Sequence, residues 1–428
     1  MKSLLTLPIG KRKFSPAQLK SYWLVCLITV LFSPPSWAQQ YVSLEQAVQT
    51  ALQNNLGIKA AAYQVEYFRE VKKTSTDVGK LSALWMHGQY NSIYQDNNVT
   101  LLQTIPFPTA LSSQLQLGKD QVTGAEINLQ SVRNDLVFEV KSVYYQLLYL
   151  ESLKKLLQSQ DSLYSDFAKA STTRYSAGES KWLEKTTAET QWMEVQNQER
   201  QNESDILISE THLQALLKSE SAVVAAGVLS KRELPPEMDA ASLSGNPHLN
   251  YLKQQVVISE QARKVEGNRI LPDISVGYFI QSLTGLQNVN GQDVFFNRSK
   301  HFQGFELGLA IPLWVTPQLA KVRAAARHED MIQKNAEYYQ TTLTSAYTQA
   351  LQELDKNLSS LGYYESSALQ NAGLILQQAH KAYKSGEIGY LEYLQSLKNA
   401  IGIKTNYLQI LNQYNQSVLK IEFLLGKF

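Results

Sequence analysis

The sequence predicts a mainly α-helical protein with a small transmembrane β part, exported from the cytoplasm and built as a tandem repeat. Three observations predict this class: an N-terminal export signal, helical segments far longer than those of compact domains, and landmarks that recur in the same order in both halves. Short alternating segments between the helices predict the β part.

Residues 1–38 have the three parts of a cleavable Sec-type signal peptide. A basic segment without acidic residues precedes an apolar run over residues 22–32, and Ser36-Trp37-Ala38 ends the signal in a small-x-small pattern. The apolar run is too short to span a bilayer as a mature helix. Because the only cysteine, Cys26, lies inside this run, the mature chain is expected to have no disulfide and no cysteine metal site.

The charge balance gives no sign of a nucleic-acid partner. The full chain has 40 basic and 38 acidic residues, a net charge of +2. Cleavage after residue 38 would remove five basic residues and no acidic one, which leaves 35 basic against 38 acidic residues and a net charge of −3. No later stretch reaches the roughly eighteen apolar residues of a transmembrane helix. A membrane-spanning part would therefore consist of strands in a closed barrel.

Four pairs of landmarks indicate a tandem duplication. The clearest is the pattern Y-x-[AS]-G-E-x-x-[WY]-L-E, which begins at Tyr175 and again, 208 positions later, at Tyr383. Three further pairs keep the same order: residues 104–107 with 310–313, Val143-Tyr144 with Ala346-Tyr347, and Asn55 with Asn246. We therefore predict a first repeat over residues 39–222, a linker over 223–244 and a second repeat over 245–428. Pro235 and Pro236 favour an extended linker.

Each repeat is predicted to contain a first helix, two short strands, a very long helix, a glycine-containing break and a second long helix. The predicted helices run over residues 43–76, 111–174 and 180–217, and over 247–269, 318–384 and 388–424. Ser43 and Gln46 form a capping-box pattern. In the segment 111–174, leucines and valines recur at spacings of three and four, and only Gly118 and Gly124 interrupt it near its start. A rod of roughly 95 Å suits a bundle or tube of helices.

The predicted strands are short and alternating. In the second repeat, residues 274–280 and 305–311 have apolar side chains at every second position and flank a polar loop over 284–300. This pattern is typical of membrane-barrel strands. In the first repeat, residues 83–94 and 99–105 could form the matching hairpin through a turn at 95–98. A soluble hairpin that caps the helices is the alternative. Because four strands cannot close a barrel, a membrane location requires several chains to share one.

This plan resembles the outer-membrane efflux protein family whose best-known member is TolC. The order of signal peptide, helix, hairpin, long helix, glycine break and long helix, with everything after the signal peptide occurring twice, covers the whole mature chain. The two Y-x-[AS]-G-E motifs are similar to the family's glycine motifs, and Pro106 and Pro312 stand at the family's strand–helix junctions. The segment Gly88-Gln89-Tyr90-Asn91-Ser92…Asp96…Gln103-Thr104-Ile105-Pro106 resembles the CzcC/CusC-like branch, which partners heavy-metal pumps of the resistance-nodulation-division (RND) type.

The resemblance implies a homotrimer with a 12-stranded β-barrel in outer-membrane lipid, continued by a long periplasmic α-helical barrel. It implies a passive conduit, for substrates such as metal cations, that is joined to an inner-membrane RND-type pump through a periplasmic adaptor. No cofactor and no nucleic-acid partner is implied. The residues alone leave two alternatives open: a non-conducting exported helical scaffold or stalk protein, and an exported enzyme with an unfamiliar site.

No residue pattern points to catalysis or to a resident metal ion. The sequence lacks GxSxG, P-loop, Rossmann and HExxH motifs. Among the six histidines, His328 beside Glu329 and Asp330 comes nearest to a metal-site pattern, and a solvated helix face explains it. The sequence therefore predicts a protein that is not an enzyme.

The duplicated glycine motifs supply the candidate functional residues. Gly178 and Gly386 have the character of helix C-caps, since glycine tolerates left-handed backbone. By resemblance, the two turns form a periplasmic rim on which an adaptor docks. The docking residues would be Gly178, Glu179, Ser180, Gly386, Glu387 and Ile388.

The same resemblance assigns Glu184 and Glu392 to the periplasmic aperture. Glu392 would face the pore, and Glu184 would take part in links that hold the aperture closed. The family's second acidic position is Gln395 in this chain. The alternative for both glutamates is stabilisation of the helix N-termini beside which they lie.

Overall fold

The fold is given by a computed structural model that describes residues 40–91, 93–235 and 238–428. The predicted signal peptide, with Cys26, lies outside the described residues, as do Ser92 of the strand-loop motif and Pro236 of the linker. The limits of the two repeats and of the linker stay predictions.

The elements of the first half are a short strand, two short helices, a β-hairpin and two long helices. They are β1 (Gln40–Val42), α1 (Leu44–Asn54), α2 (Leu56–Lys73), β2 (Ser82–Gly88), β3 (Asp96–Ile105), α3 (Pro108–Ser176) and α4 (Trp182–Leu217). A short strand, β4 (Val223–Ala225), and a 3₁₀ turn (Ala240–Gly245) connect this half to the next.

The second half repeats the order of helix, strands and long helices. Its elements are α5 (Pro247–Asn268), β5 (Asp273–Ser282), β6 (Gly285–Val289), β7 (Gln292–Phe296), β8 (His301–Ala310), α6 (Val315–Tyr363), α7 (Leu369–Ser385) and α8 (Tyr390–Leu425). A π-helical turn, Tyr364–Ala368, joins α6 to α7, so that the predicted rod continues through all three segments.

The prediction of very long helices is confirmed. Helix α3 has 69 residues, and at 1.5 Å per residue it is about 100 Å long. It packs lengthwise against α4, α5 and α8, while α6 and α7 pack against α8. In the described part of the chain, no helix is both long enough and apolar enough to cross a membrane.

The prediction of one unbroken first helix is wrong, because the chain bends at Asn55 between α1 and α2. Asn55 has φ −57° and ψ 132°, and its side chain accepts a hydrogen bond from Gly57 N at 2.8 Å, which caps α2. Its Nδ2 also donates to Leu216 O at 3.1 Å, so contact with the end of α4 stabilises the bend. The predicted capping box is confirmed, since Ser43 and Gln46 exchange both hydrogen bonds.

The prediction that a long helix runs over 111–174, with two glycines near its start, is confirmed. Helix α3 continues through Gly118 and Gly124, and both are buried. A Cβ added at Gly118 would lie 2.8 Å from Ser75 Oγ, and one added at Gly124 would lie 2.8 Å from Ile258 Cδ1. These glycines therefore allow close packing of α3 against its neighbours.

Strands β2, β3, β5 and β8 form one antiparallel sheet in that order, and β3 pairs with β5 across the two halves. The turn predicted at 95–98 is wrong, because Asp96 already begins β3. Ser282 Oγ accepts from Asn97 N and donates to the Asp96 carboxylate, so pairing with β5 overrides the local turn preference. The polar loop over 284–300 contains the hairpin β6–β7, which the sequence did not predict.

The main apolar core lies where the helices of both halves surround the parallel strand pair β1–β4. Its most deeply buried members include Tyr144 of α3 and Tyr414 of α8. The Tyr144 hydroxyl lies within hydrogen-bonding distance of Val42 O and Ala226 O, which ties α3 to both strands. A second, smaller core lies near the Gly178 and Gly386 turns.

Candidate functional site

The four-stranded sheet has two chemically different faces. Residues that are paired across neighbouring strands lie on the same face, and successive residues of one strand alternate between the two faces. One face, here called the apolar face, includes Val99, Leu101, Ile105, Ile274, Val276, Tyr278, Ile280, Phe305, Leu307 and Leu309. The other, here called the polar face, includes Asn98, Thr100, Thr104, Ser275, Gly277, Gln281, Gly304, Glu306 and Gly308, and three apolar residues, Leu102, Phe279 and Phe302, lie among them.

The apolar face has no covering layer in the described chain. The Phe305 side chain is 83% exposed and that of Leu307 is 81% exposed. Strand β2 is less regular, because its apolar residues Leu84, Trp85 and Met86 alternate between both faces and are all exposed. A contiguous exposed apolar band with a polar face behind it is the pattern of a sheet that separates lipid from water.

The two outer strands of this sheet, β2 and β8, each have one unpaired edge among the described residues. They run in opposite directions, because every neighbouring pair in the four-stranded order is antiparallel. The β8 edge of a second copy could therefore pair with β2 in the same antiparallel sense. Unpaired edges are not tolerated in lipid, so a membrane sheet of this kind needs other copies to close it.

Proline ends the strand segment on the way into each long helix. Pro106 lies between β3 and α3, and Pro312 lies between β8 and α6. Because proline has no N–H to donate to a strand neighbour and fixes φ near −65°, it suits both the end of pairing and the entry into a helix.

The two glycine turns at the opposite end of the helices have the same geometry. Gly178 has φ 75° and Gly386 has φ 76°. In the first turn Glu179 N donates to Arg174 O at 2.8 Å, and in the second Glu387 N donates to Ala382 O at 2.9 Å. Both turns therefore end their helices with the hydrogen bond of a Schellman cap. A Cβ added at either glycine meets no atom within 4 Å, so the backbone conformation alone requires glycine.

The predicted docking residues differ in what they present to solvent. Glu179 and Glu387 are exposed at the two turns. Ile388 is half-buried and packs against the smaller core. The Ser180 hydroxyl is buried and has no hydrogen-bond partner in the part of the chain that is described. Each turn thus presents one carboxylate next to a glycine, Gly178 or Gly386, whose backbone is not covered by a side chain.

An aromatic cluster lies directly behind the turns. The rings of Tyr383 and Tyr393 stack with their centroids 4.5 Å apart, and Phe167 makes edge contacts with both. Burial raises the pKa of Tyr393 to about 12, and it also raises the pKa of Tyr383, so both phenols keep their protons. Because Tyr383 and Tyr393 belong to the second half and Phe167 to the first, the cluster joins the two halves at this end.

Glu184 lies in a buried polar cluster beside these aromatic rings. Its side chain is 7% exposed, and Arg174 Nη1 lies 3.7 Å from its carboxylate. The Tyr383 hydroxyl donates to Glu184 Oε1 at 3.2 Å and accepts from Arg174 Nη1 at 3.5 Å. The hydrogen bond to Tyr383 raises the pKa of Arg174. These three residues, here called the clasp, connect α3 and α4 to α7.

Sequence reasoning named Glu184 and missed its two partners. Tyr383 opens the second glycine motif, and Arg174 immediately precedes the first, so both lie beside the duplicated pattern. Arg174 and Tyr383 are far apart along the chain, and they meet only because α7 packs against α3 and α4. Their contact therefore could not be predicted from the sequence.

Glu392 differs from Glu184 although both occupy the same motif position. Glu392 is exposed on the first turn of α8 and borders a surface groove together with Gln378, Lys381, Glu387 and Ser396. Within the described residues its carboxylate has no ion-pair partner. The duplication has thus produced one buried, paired glutamate and one exposed, unpaired glutamate at the same end of the molecule.

Residues 47–218 match the family described as outer membrane efflux protein. The cobalt-zinc-cadmium resistance protein CzcC of Cupriavidus metallidurans is 21% identical over 406 residues, which cover 92% of this chain and 92% of that protein.

Solved structures with the same fold include those of two channel proteins. The crystal structure of CusC superposes with a TM-score of 0.73 at 16% identity and covers 92% of this chain and 95% of its own. The CmeC outer-membrane channel of Campylobacter jejuni has a TM-score of 0.73 at 14% identity and covers 99% of this chain and 94% of its own.

Proposed function

We propose that the chain is a TolC-like outer-membrane efflux protein that extends into the periplasm, and that three copies form one passive conduit. The observation that carries the proposal is the sheet: four strands, an uncovered apolar face and two unpaired edges of opposite direction. Three copies joined edge to edge would give a closed barrel of twelve strands. The long helices below the sheet would then form the periplasmic tube.

The proposed conduit receives its substrate from other proteins. It would be joined through a periplasmic adaptor to an inner-membrane pump of the RND type, which supplies the energy. The name of its relative CzcC, a cobalt-zinc-cadmium resistance protein, supports divalent metal cations as the substrate class. A conduit of this kind has no catalytic role, and we propose that the chain is not an enzyme.

We assign adaptor docking to the rim formed by Gly178, Glu179, Ser180, Gly386, Glu387 and Ile388. The matched geometry of the two turns supports this assignment, because two equivalent turns per chain offer a repeated surface. Backbone at a left-handed glycine is unshielded, so an adaptor helix tip or loop can approach it closely.

Gly386→Val is expected to reduce export strongly while the trimer still assembles. A β-branched residue disfavours φ 76°, so the turn must change shape, yet no neighbouring atom is displaced by the added Cβ. Export is measured as metal tolerance of cells that depend on this protein, with outer-membrane trimer quantified in the same cells.

The control for this variant is Gly373→Val in the same helix. Gly373 is exposed and helical, and an added Cβ there also meets no atom within 4 Å. Near-normal export by Gly373→Val together with loss of export by Gly386→Val supports the rim. Undiminished export by Gly386→Val would remove the basis for adaptor docking at this turn.

We further propose that Glu184 and Glu392 form the periplasmic aperture with different tasks. The clasp around Glu184 supports a structural role, since it holds the first-half helices to α7. The exposed and unpaired carboxylate of Glu392 supports a role facing the pore. In a trimer it would contribute one of three carboxylates to a ring that attracts cations and repels anions.

Glu392→Gln is expected to lower the preference of single channels for cations. Glutamine keeps the size of the side chain and removes the charge that attracts cations. The reciprocal variant Gln395→Glu, one helical turn further along α8, is expected to raise the same preference. The measurement is the reversal potential of channels in planar bilayers under a salt gradient. If both variants match the parent, Glu392 does not line the constriction.

A further inference from the structure

The strands of the membrane sheet carry charge of one sign only. Across β2, β3, β5 and β8 there are three acidic residues and neither lysine nor arginine. The acidic residues are Asp96, Asp273 and Glu306. The pairing register places all three on the polar face. The two strand histidines, His87 and His301, lie on the apolar face.

The three acidic residues have different surroundings. Asp96 is fully buried at the end of the sheet away from the helices, where it accepts hydrogen bonds from Ser282 Oγ at 2.9 Å and Thr284 N at 2.8 Å. Asp273 begins β5 at the end nearest the helices. Glu306 alone lies in the middle of a strand, and it is exposed.

Glycines and uncharged side chains surround Glu306 on the polar face, where the ring of Phe279 covers Gly304. Gly304 and Gly308 precede and follow it on the polar face of β8, and Gly277 lies opposite it on β5. A Cβ added at Gly277 would lie 3.2 Å from Glu306 Cβ, so glycine there leaves the room that Glu306 occupies. No cation of the described chain forms an ion pair with its carboxylate.

A neighbouring copy would not neutralise Glu306 either. Strand β8 is an edge strand, so in the proposed trimer its open side meets β2 of the next chain. The side chains of β2 on the polar face are Ser82, Leu84 and Met86, together with Gly88. None of them carries a charge, so a carboxylate on this seam keeps its full electrostatic effect on the lumen.

We propose that Glu306 sets a cation preference inside the membrane barrel itself, as a second ring separate from the periplasmic aperture. The inference rests on the proposed trimeric channel, in which three copies of Glu306 lie at one level of the lumen. Carboxylate rings attract cations and repel anions, and the absence of basic residues from the strands leaves this ring unopposed. The ligands concerned are small hydrated cations in transit.

The first test compares reversal potentials of single channels in a potassium chloride gradient. Glu306→Gln is expected to lower the cation-over-anion permeability ratio severalfold, and Glu306→Lys is expected to lower this ratio further. Combination with Glu392→Gln is expected to give a larger loss than either change alone, because the two rings lie at opposite ends of the molecule.

The second test establishes which way the side chain faces. Glu306→Cys and its strand neighbour Leu307→Cys differ by one position and therefore lie on opposite faces of the sheet. The chain's only natural cysteine, Cys26, belongs to the predicted signal peptide. A charged, membrane-impermeant thiol reagent is expected to change the current through Glu306→Cys channels and to leave Leu307→Cys channels unchanged.

The outcomes separate this inference from the proposed function. Conducting Glu306→Gln channels with unchanged selectivity would overturn the inference alone. Modification of Leu307→Cys in place of Glu306→Cys would overturn the inference and also the assignment of the apolar face to lipid. A parent protein that forms no channel would overturn the proposed function, and the inference with it. Reduced selectivity together with modification of Glu306→Cys supports both.

Discussion

Leu307→Arg is expected to destabilise the assembled protein by about 2–4 kcal/mol for each chain, the range for arginine on the lipid face near mid-membrane. Leu307 lies in the middle of β8 on the apolar face and is almost fully exposed in the single chain. If lipid covers that face, the guanidinium must lose its hydration or distort the bilayer. The measurement is the temperature at which the detergent-extracted trimer dissociates, with the amount of outer-membrane protein measured alongside.

The control for Leu307→Arg is Thr100→Arg on the polar face. Thr100 lies near the middle of β3, and the pairing register places it on the polar face. An arginine there can remain in water, so a small change in trimer dissociation is expected. Equal behaviour of the two variants would mean that the sheet does not separate lipid from water.

Glu422→Ala is expected to reduce the free energy of unfolding by about 3–5 kcal/mol, the range for removing one partner of a buried ion pair. Glu422 in α8 is 8% exposed, and Arg232 Nη2 lies 2.9 Å from both of its carboxylate oxygens. Lys141 Nζ lies 3.8 Å from the same carboxylate, and burial lowers the pKa of that amine. Alanine at position 422 would leave two partly buried cations without their shared counterion.

The control for Glu422→Ala is Glu337→Ala. Glu337 pairs with Lys334 on the same exposed helix face, where solvent screens the charges, so little change in stability is expected. Urea unfolding of detergent-solubilised protein, followed by circular dichroism, measures both variants. An unchanged midpoint for Glu422→Ala would show that Arg232 and Lys141 find water or another partner without loss.

The sequence predicts those features that repeat at short range. Leucine and valine spacing along 111–174 predicts α3, and alternation over 305–311 predicts β8, because each pattern reports directly on one buried or lipid-facing side of an element. The duplicated motif likewise predicts that Gly178 and Gly386 occupy equivalent turns, and both turns have the same left-handed φ.

Features that depend on contacts between distant residues were not predicted. The bend of the first helix at Asn55 is stabilised by a hydrogen bond from its side chain to Leu216, 161 residues away. Asp96 begins a strand, although Asp-Asn-Asn is typical of a turn, because Ser282 of the other half pairs with that segment. The clasp partners of Glu184 were missed for the same reason. In each case tertiary hydrogen bonds outweigh the local preference of the chain.

If three identical chains share one membrane barrel, as we propose, the native mass of the protein must be that of a trimer. The protein would be extracted from the outer-membrane fraction in mild detergent and measured by native mass spectrometry. A particle of three mature chains is expected, since the β2 and β8 edges of one chain can be paired only by its neighbours. A stable monomer, inserted in the outer membrane with both edges unpaired, would contradict the proposal.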